Sequence, residues 1–153
     1  MNHLPHTFAQ VTTPQDHIYM GQILSTEVSA VVILRSGGTL ENGLKRVVPE
    51  ARIGRLVIQS NSRTGEPELH FLKLPPIHDH RVLLLDPQVA AGAGAIMAIQ
   101  VLKDHGVQEE NIVLVTYLSN IIGLRRITKV FPRSTIVTGC VKEGFERRWI
   151  DAR

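Results

Sequence analysis

The sequence predicts an α/β fold built on a parallel, doubly wound sheet, and three observations carry that expectation. First, the runs at 30–34 (AVVIL) and 82–85 (VLLL) are apolar without alternation and rich in branched side chains. Strands buried on both faces of a parallel sheet have that composition, whereas a half-exposed strand alternates. Second, segments with apolar residues at helical spacing, roughly ten to fourteen residues long, separate the strand-like runs, as right-handed crossovers require. Third, glycines and other small residues follow both runs, at 35–38 and 90–94. In such sheets ligands sit beyond the carboxyl ends of the strands. These two turns are therefore the first places to look for chemistry.

In chain order, 11–20 (VTTPQDHIYM) reads as a short hairpin turning at Pro14-Gln15-Asp16. The 30–34 strand ends on Arg35-Ser36-Gly37-Gly38. Leu40, Leu44, Val47 and Val48 then mark an amphipathic helix, with Thr39 as its N-cap and Pro49 beyond its end. Runs at 55–59 and 68–74 flank a polar turn at 60–65 (SNSRTG) and predict a projecting hairpin. The strand at 82–86 ends on the carboxylate of Asp86. A helix follows from about Ala93, carrying Ile96, Ile99 and Leu102 at helical spacing, with Gly106 as its stop. A strand at 111–118 leads to a helix with Ile121, Leu124, Ile127 and Val130, stopped by Pro132. A last strand covers 134–140, and 141–153 has no clear period.

Length and composition fit one domain over 1–153: the chain is long enough to bury a core, and its 43% hydrophobic and 20% charged residues suit a soluble protein. A net charge of +3 with scattered basic residues suits a small anionic ligand and gives no reason to expect nucleic acid. The densest basic spots, Arg125-Arg126 and Arg147-Arg148, read as solvated faces. A lone cysteine, Cys140, excludes an internal disulfide and fits a reducing interior. The first ten residues lack the apolar core of a signal peptide, and no run reaches membrane length. A cytoplasmic protein with no membrane partner is the expectation.

Strand, glycine-bearing loop and helix across 81–106 make a recurring anion site, because the first amides of a helix have no acceptor within it and its dipole favours negative charge. The same pattern also serves as a plain tight turn that binds nothing. It is not a Walker loop, since no Gly-Lys-Ser/Thr follows, and Met97 stands where a dinucleotide fingerprint needs its third glycine. Arg35, a charge closing an apolar strand, calls for an anion. His78-Asp79-His80 reads as a solvated connection, so no metal site is expected. Cys140 reads as a buried structural thiol, and Trp149 as packing for the C-terminal segment.

Taken in series, ILRSG at 33–37, RIGRLVIQSN at 52–61, TGEPELHFLKLP at 64–75, LLLDPQVAAGAGA at 83–95 and FPRSTIVTGCV at 131–141 resemble the uracil phosphoribosyltransferase family. The likeness extends above all to the phosphoribosyltransferase-like domain that ends uridine–cytidine kinases. It implies a type I phosphoribosyltransferase-like parallel sheet flanked by helices, with the hairpin as a projecting arm. It also implies transfer of ribose 5-phosphate from phosphoribosyl pyrophosphate (PRPP) to uracil, giving UMP and pyrophosphate in pyrimidine salvage. The residues it assigns to PRPP are Arg35, Asp86, Pro87, Gln88, Val89, Ala90, Ala91, Gly92, Ala93 and Gly94. Mg2+ bound with PRPP and a homodimer built partly on the arm belong to the same expectation. No covalent nucleophile is needed, and no catalytic residue is singled out.

The departures from the family pattern are specific. Ala91 and Gly94 stand where the family's loop has threonine and serine hydroxyls. Hydrogen bonds to charged groups contribute roughly 1.5–3 kcal/mol each, so losing two weakens phosphate binding by on the order of 10²–10⁴. Ser60 replaces a second PRPP-contacting arginine of bacterial members, with Arg63 as a substitute phosphate contact. Neither the family's N-terminal helices nor its closing uracil-binding segment is recognisable. The sequence therefore leaves two readings: an enzyme with reduced or lost activity, or a non-catalytic module that binds PRPP or a nucleotide and serves assembly or regulation, for example of a uridine kinase.

Overall fold

The computed structural model of the chain describes residues 4–144. Trp149 and the Arg147-Arg148 pair lie outside the described residues. The chain begins with a hairpin, β1 (His6–Thr12) and β2 (Ile18–Leu24), which forms its own antiparallel two-stranded sheet. This confirms the hairpin expected from 11–20 and extends it at both ends. The main sheet follows: β3 (Val28–Leu34), α1 (Gly38–Val47), β4 (Arg52–Ser60), β5 (Pro67–Lys73), β6 (Arg81–Leu85), β7 (Gln88–Val89), α2 (Ala93–Asp104), β8 (Ile112–Asn120), α3 (Ile121–Val130) and β9 (Thr135–Lys142). Its strand order is β5-β4-β3-β6-β8-β7, with β9 also paired to β8.

The sheet is mixed. β3, β4, β6, β7, β8 and β9 form parallel ladders, and β5 runs antiparallel on β4. The ladder between β3 and β4 stops at Leu34↔Val57, while β4 and β5 stay paired as far as Ser60↔Pro67. The end of the hairpin therefore projects beyond β3, as the polar 60–65 turn predicts.

Unalternating strands give the sheet two apolar faces, and helices cover both. On one face Val31, Ile33, Leu84, Ile112 and Leu114 pack with Ala98, Ile99 and Leu102 of α2 and with Ile127 of α3. On the other, Ala30, Val32, Leu83, Leu85 and Val113 pack with Val48 and with Leu40 and Leu44 of α1. Leu84 is fully buried between layers, where truncation to alanine costs about 2–5 kcal/mol. Among the described residues no helix is long and apolar enough to cross a membrane.

Three local expectations need correction. Thr39 is not the N-cap of α1. The helix is entered at Gly37, and the Thr39 hydroxyl donates to the Ser36 carbonyl from within the first turn. His80 is buried rather than solvated, because its ring bridges Ser29 Oγ (2.7 Å) and Glu27 Oε2 (2.9 Å) under the start of β3. Cys140 is exposed, since β9 lies at the margin of the sheet and its second half faces solvent.

The far end of the fold is held by one carboxylate. Glu109, in the 3₁₀ turn Glu109–Asn111, is buried and accepts from the Arg133 backbone N–H (2.7 Å) and from Lys103 Nζ (3.0 Å). It thereby ties the end of α2 to the connection between α3 and β9. The Arg133 amide, helped by the Lys103 ammonium and opposed by burial, holds the Glu109 carboxyl below the ordinary glutamate range. A depressed folded-state pKa means stability that is complete at neutral pH and is lost as pH falls through and below that range. Glu109→Gln should lower Tm at neutral pH by about 2 °C or more and remove part of the acid sensitivity. Circular-dichroism melts of both proteins across the acid range test this, and parallel Tm curves would show that the carboxylate contributes nothing through its charge.

Candidate functional site

The expected site lies where β3 and β6, adjacent and parallel, reach their carboxyl ends. Each strand hands over to a turn of small residues. After β3 the chain folds back at once: the Gly37 amide donates to the Ile33 carbonyl (2.9 Å). A Cβ built on Gly37 would lie 2.6 Å from the Ile33 carbonyl oxygen and 2.6 Å from that of Leu85. Only glycine lets the 35–37 turn sit down on the end of β6. The turn that begins with Arg35 and the segment that begins with Asp86 therefore share one corner of the sheet. Arg35 itself is exposed, and the Leu34–Arg35 peptide is cis.

The stretch assigned to PRPP divides into two halves. Asp86 to Val89 is not a free loop. The Asp86 amide donates to the Val115 carbonyl, and the Pro87 carbonyl accepts from the amides of both Tyr117 and Leu118. Gln88 and Val89 then resume pairing with β8 as β7, both buried. Asp86 is wholly buried, so its carboxylate has no exposed surface to offer a ribose hydroxyl in this conformation.

The second half, from Ala90 to Gly94, is the open turn. Gly92 has φ 84° and caps α2 without a side-chain hydrogen bond. That left-handed conformation favours glycine, and it aims the chain so that α2 starts at Ala93. Ala91 and Ala93 are exposed, and Gly94 is half-buried inside the first turn of α2. The helix presents its first amides and the positive end of its dipole here. The positive φ thus falls on Gly92, while Gly94 is helical.

What the sequence did not foretell is the contribution of α3. Asn120 caps it, accepting the Ile122 amide at 2.8 Å. Its third residue, Gly123, is pressed against the turn. A Cβ on Gly123 would collide with the Ala90 carbonyl oxygen, and one on Gly92 would lie 2.8 Å from the Gly123 carbonyl oxygen. One turn further along, Arg126 donates from Nη1 to the Ala91 carbonyl at 3.3 Å. The only sequence signal for this was a glycine near the start of a helix, a position without need of one unless something approaches closely.

Arg63 sits exposed at the tip of the β4–β5 arm, its amide bonded to Asn61 Oδ1. Because β4 runs parallel to β3, that tip is on the same end of the sheet as Arg35. A concavity of about 460 Å³ lies elsewhere, at the amino ends of β3 and β4, lined by residues that include Glu27, Glu50 and Arg52. None of the expected site residues lines it.

The glycine contacts give a direct test. Gly123→Ala should destabilise the protein by about 1–3 kcal/mol, the usual cost of overpacking. Gly43→Ala, inside α1 with nothing near its Cβ, should instead stabilise by about 0.5–1 kcal/mol. Urea melts of both variants measure the contrast. Equal shifts would mean that α3 does not clamp the turn.

Known proteins resemble this chain in sequence and in fold. A family model described as uracil phosphoribosyltransferase matches residues 1–150. Uracil phosphoribosyltransferase 1 of Schizosaccharomyces pombe is 37% identical over 147 residues, which cover 95% of this chain and 67% of that protein. Uridine-cytidine kinase-like 1 of Mus musculus is 42% identical over 143 residues, but the match spans 92% of this chain and only 26% of that protein. Among solved structures, the AQ2163 protein from Aquifex aeolicus matches with a TM-score of 0.80 at 29% identity, covering 90% of this chain and 65% of the other. A purine phosphoribosyltransferase from Pyrococcus horikoshii matches at 0.57 and 13% identity, over 80% of this chain and 77% of the other, a likeness of fold alone.

Proposed function

We propose a function from one premise: the chain belongs to the uracil phosphoribosyltransferase family. The proposed reaction moves ribose 5-phosphate from PRPP to a ring nitrogen of uracil. The new C–N bond forms as the bond from C1′ to pyrophosphate breaks, and the uracil proton leaves to solvent. The observation that carries the reading is the seat of Gly37 on the Leu85 carbonyl. It seats the Arg35 turn on the end of β6, the strand whose chain runs on through Asp86 to the open 90–94 turn, and so supports a ligand that spans both.

In this reading the amides at the start of α2 hold the 5-phosphate, and Arg35 meets the pyrophosphate side of the ligand. Arg63 reaches in from the arm on the same end of the sheet. The protein contributes position and fixed charge, and no side chain forms a bond to substrate. Among the described residues no three His, Cys, Asp or Glu side chains gather into a metal site. Mg2+ enters the proposal as an ion carried in on the phosphate oxygens of PRPP, where it would neutralise the leaving pyrophosphate. An exposed free thiol, Cys140, suits action in a reducing compartment such as the cytoplasm.

The bare side chains of Ala91 and Gly94 and the enclosed Asp86 favour a second reading, in which the domain binds PRPP or a nucleotide without turnover and serves assembly or regulation. Calorimetric titration with PRPP and Mg2+, run beside an assay for uracil conversion to UMP, separates the two. Binding with turnover supports the enzyme and binding alone the module, and a chain that binds neither PRPP nor UMP in the same titration removes both. Arg35→Ala should abolish most of the binding. Ala91→Thr should tighten PRPP at least about tenfold, the worth of one hydrogen bond to a charged group.

A homodimer is part of the proposal. Leu69 and Phe71 are exposed on the arm, and Phe8, Ile18 and Met20 on one face and Val11, Tyr19 and Ile23 on the other are exposed on the first hairpin. An isolated two-stranded hairpin is marginal in water, and apolar side chains on both of its faces need cover. A second copy of the chain would provide it. Light scattering at high micromolar concentration should give twice the chain mass, and a clean monomer would remove the dimer from the proposal.

A further inference from the structure

The open turn lacks two hydroxyls, and α3 brings a cation to the same place. This inference rests on the reading of 90–94 as a phosphate cradle. Helical spacing puts Arg126 three residues after Gly123, on the side of α3 that faces the turn. Gly123 fixes that side by its backbone contact with Ala90 and Gly92. The guanidinium then lies one hydrogen bond, 3.3 Å, from the Ala91 carbonyl. Ala91 is one of the two positions where a hydroxyl is missing.

Magnitudes decide what such an arginine does. A single exposed bond of 3.3 Å to a neutral carbonyl is a weak brace for an arginine, whose fork carries five N–H donors. A phosphate is the stronger acceptor, since charge-assisted bonds are roughly twice as strong as neutral ones and a guanidinium can make two in parallel. Arg125, its neighbour, carries the same charge and is also exposed, but faces away from the turn by helical geometry.

We infer that Arg126 is a substrate-binding residue: it leaves the Ala91 carbonyl and takes the 5-phosphate of PRPP, replacing the hydroxyls absent at 91 and 94. Its contact is with the 5-phosphate and not with the pyrophosphate. Ribose 5-phosphate should therefore depend on it as strongly as PRPP does, while inorganic pyrophosphate should not.

The test is calorimetric titration of the full chain with ribose 5-phosphate, PRPP and pyrophosphate, with circular dichroism as a check on folding. Arg126→Ala and Arg126→Gln should each weaken ribose 5-phosphate and PRPP at least about tenfold. Arg126→Lys should fall between these and the unmodified protein. Arg125→Ala should bind as the unmodified protein does, and pyrophosphate binding should be the same throughout. Three results overturn the inference. If the Ala and Gln variants bind ribose 5-phosphate normally, Arg126 does not touch the phosphate. If Gln restores all that Ala loses, Arg126 is only a brace for the Ala91 carbonyl. If the unmodified chain binds none of the three probes, the phosphoribosyl reading fails with it, an outcome distinct from the other two.

Discussion

Two backbones touching at Gly92 and Gly123 constrain everything at the business end of this fold. Side chains are excluded there because each glycine's missing Cβ is the space that the other segment fills. The contact fixes the left-handed residue that ends the 90–92 turn, and so sets where α2 begins. It also fixes the roll of α3, because a helix pressed down at its third residue has little freedom about its own axis. The angle of the amino end of α2 and the position of Arg126 are thus consequences of one approach. A comparable economy operates at Gly37, which lets a turn rest on the end of a neighbouring strand.

These closures matter because the sheet alone would not build a site. Parallel strands end in a row of carbonyls, and carbonyls repel anions. The fold reverses the sign of its own edge in three ways. It spends the carbonyls of Ile33 and Val115 on the amides of Gly37 and Asp86, and the Pro87 carbonyl on the β8 amides of Tyr117 and Leu118. It turns the amide end of α2 toward solvent. It adds the exposed cations Arg35 and Arg126 at the margin. In the proposed reading, this is how an edge that would otherwise exclude phosphate comes to accept it.

The fold was legible in the sequence to the extent that burial is two-sided. Runs such as AVVIL and VLLL admit few interpretations, and β3 and β6 formed where they stood. The amphipathic periods gave α1, α2 and α3 within a residue or two. The misses share a physical cause. β7 is only two residues long and lies behind a proline, so it has no period to detect; it exists because β8 outruns β6 and offers free backbone partners. His80 and Cys140 were misplaced because exposure depends on what lies across the sheet, and neighbours in sequence do not encode it. The small residues of the 90–94 turn were readable as a turn, and the nearness of the 35–37 turn to the end of β6 followed from strand adjacency. Gly123 and Arg126 were not readable, since they reach the turn from some thirty residues away and only packing joins them.

The same geometry bears on why a turn can lose hydroxyls and keep its backbone. Threonine and serine side chains in such a turn donate one hydrogen bond each, and substitution by alanine or glycine removes those donors while leaving the amides in place. The amides are held by Gly92, Gly123 and the β7 pairing, none of which involves the side chains at 91 and 94. Selection on the fold and selection on phosphate affinity therefore act on different atoms of the same five residues. A chain can shed the second without disturbing the first, and the lost donors can be replaced from another element without rebuilding the turn. A guanidinium on α3 is suited to that replacement because its charge does not depend on the local dielectric to stay ionised. Its anchor point is set by a glycine contact that the fold needs in any case.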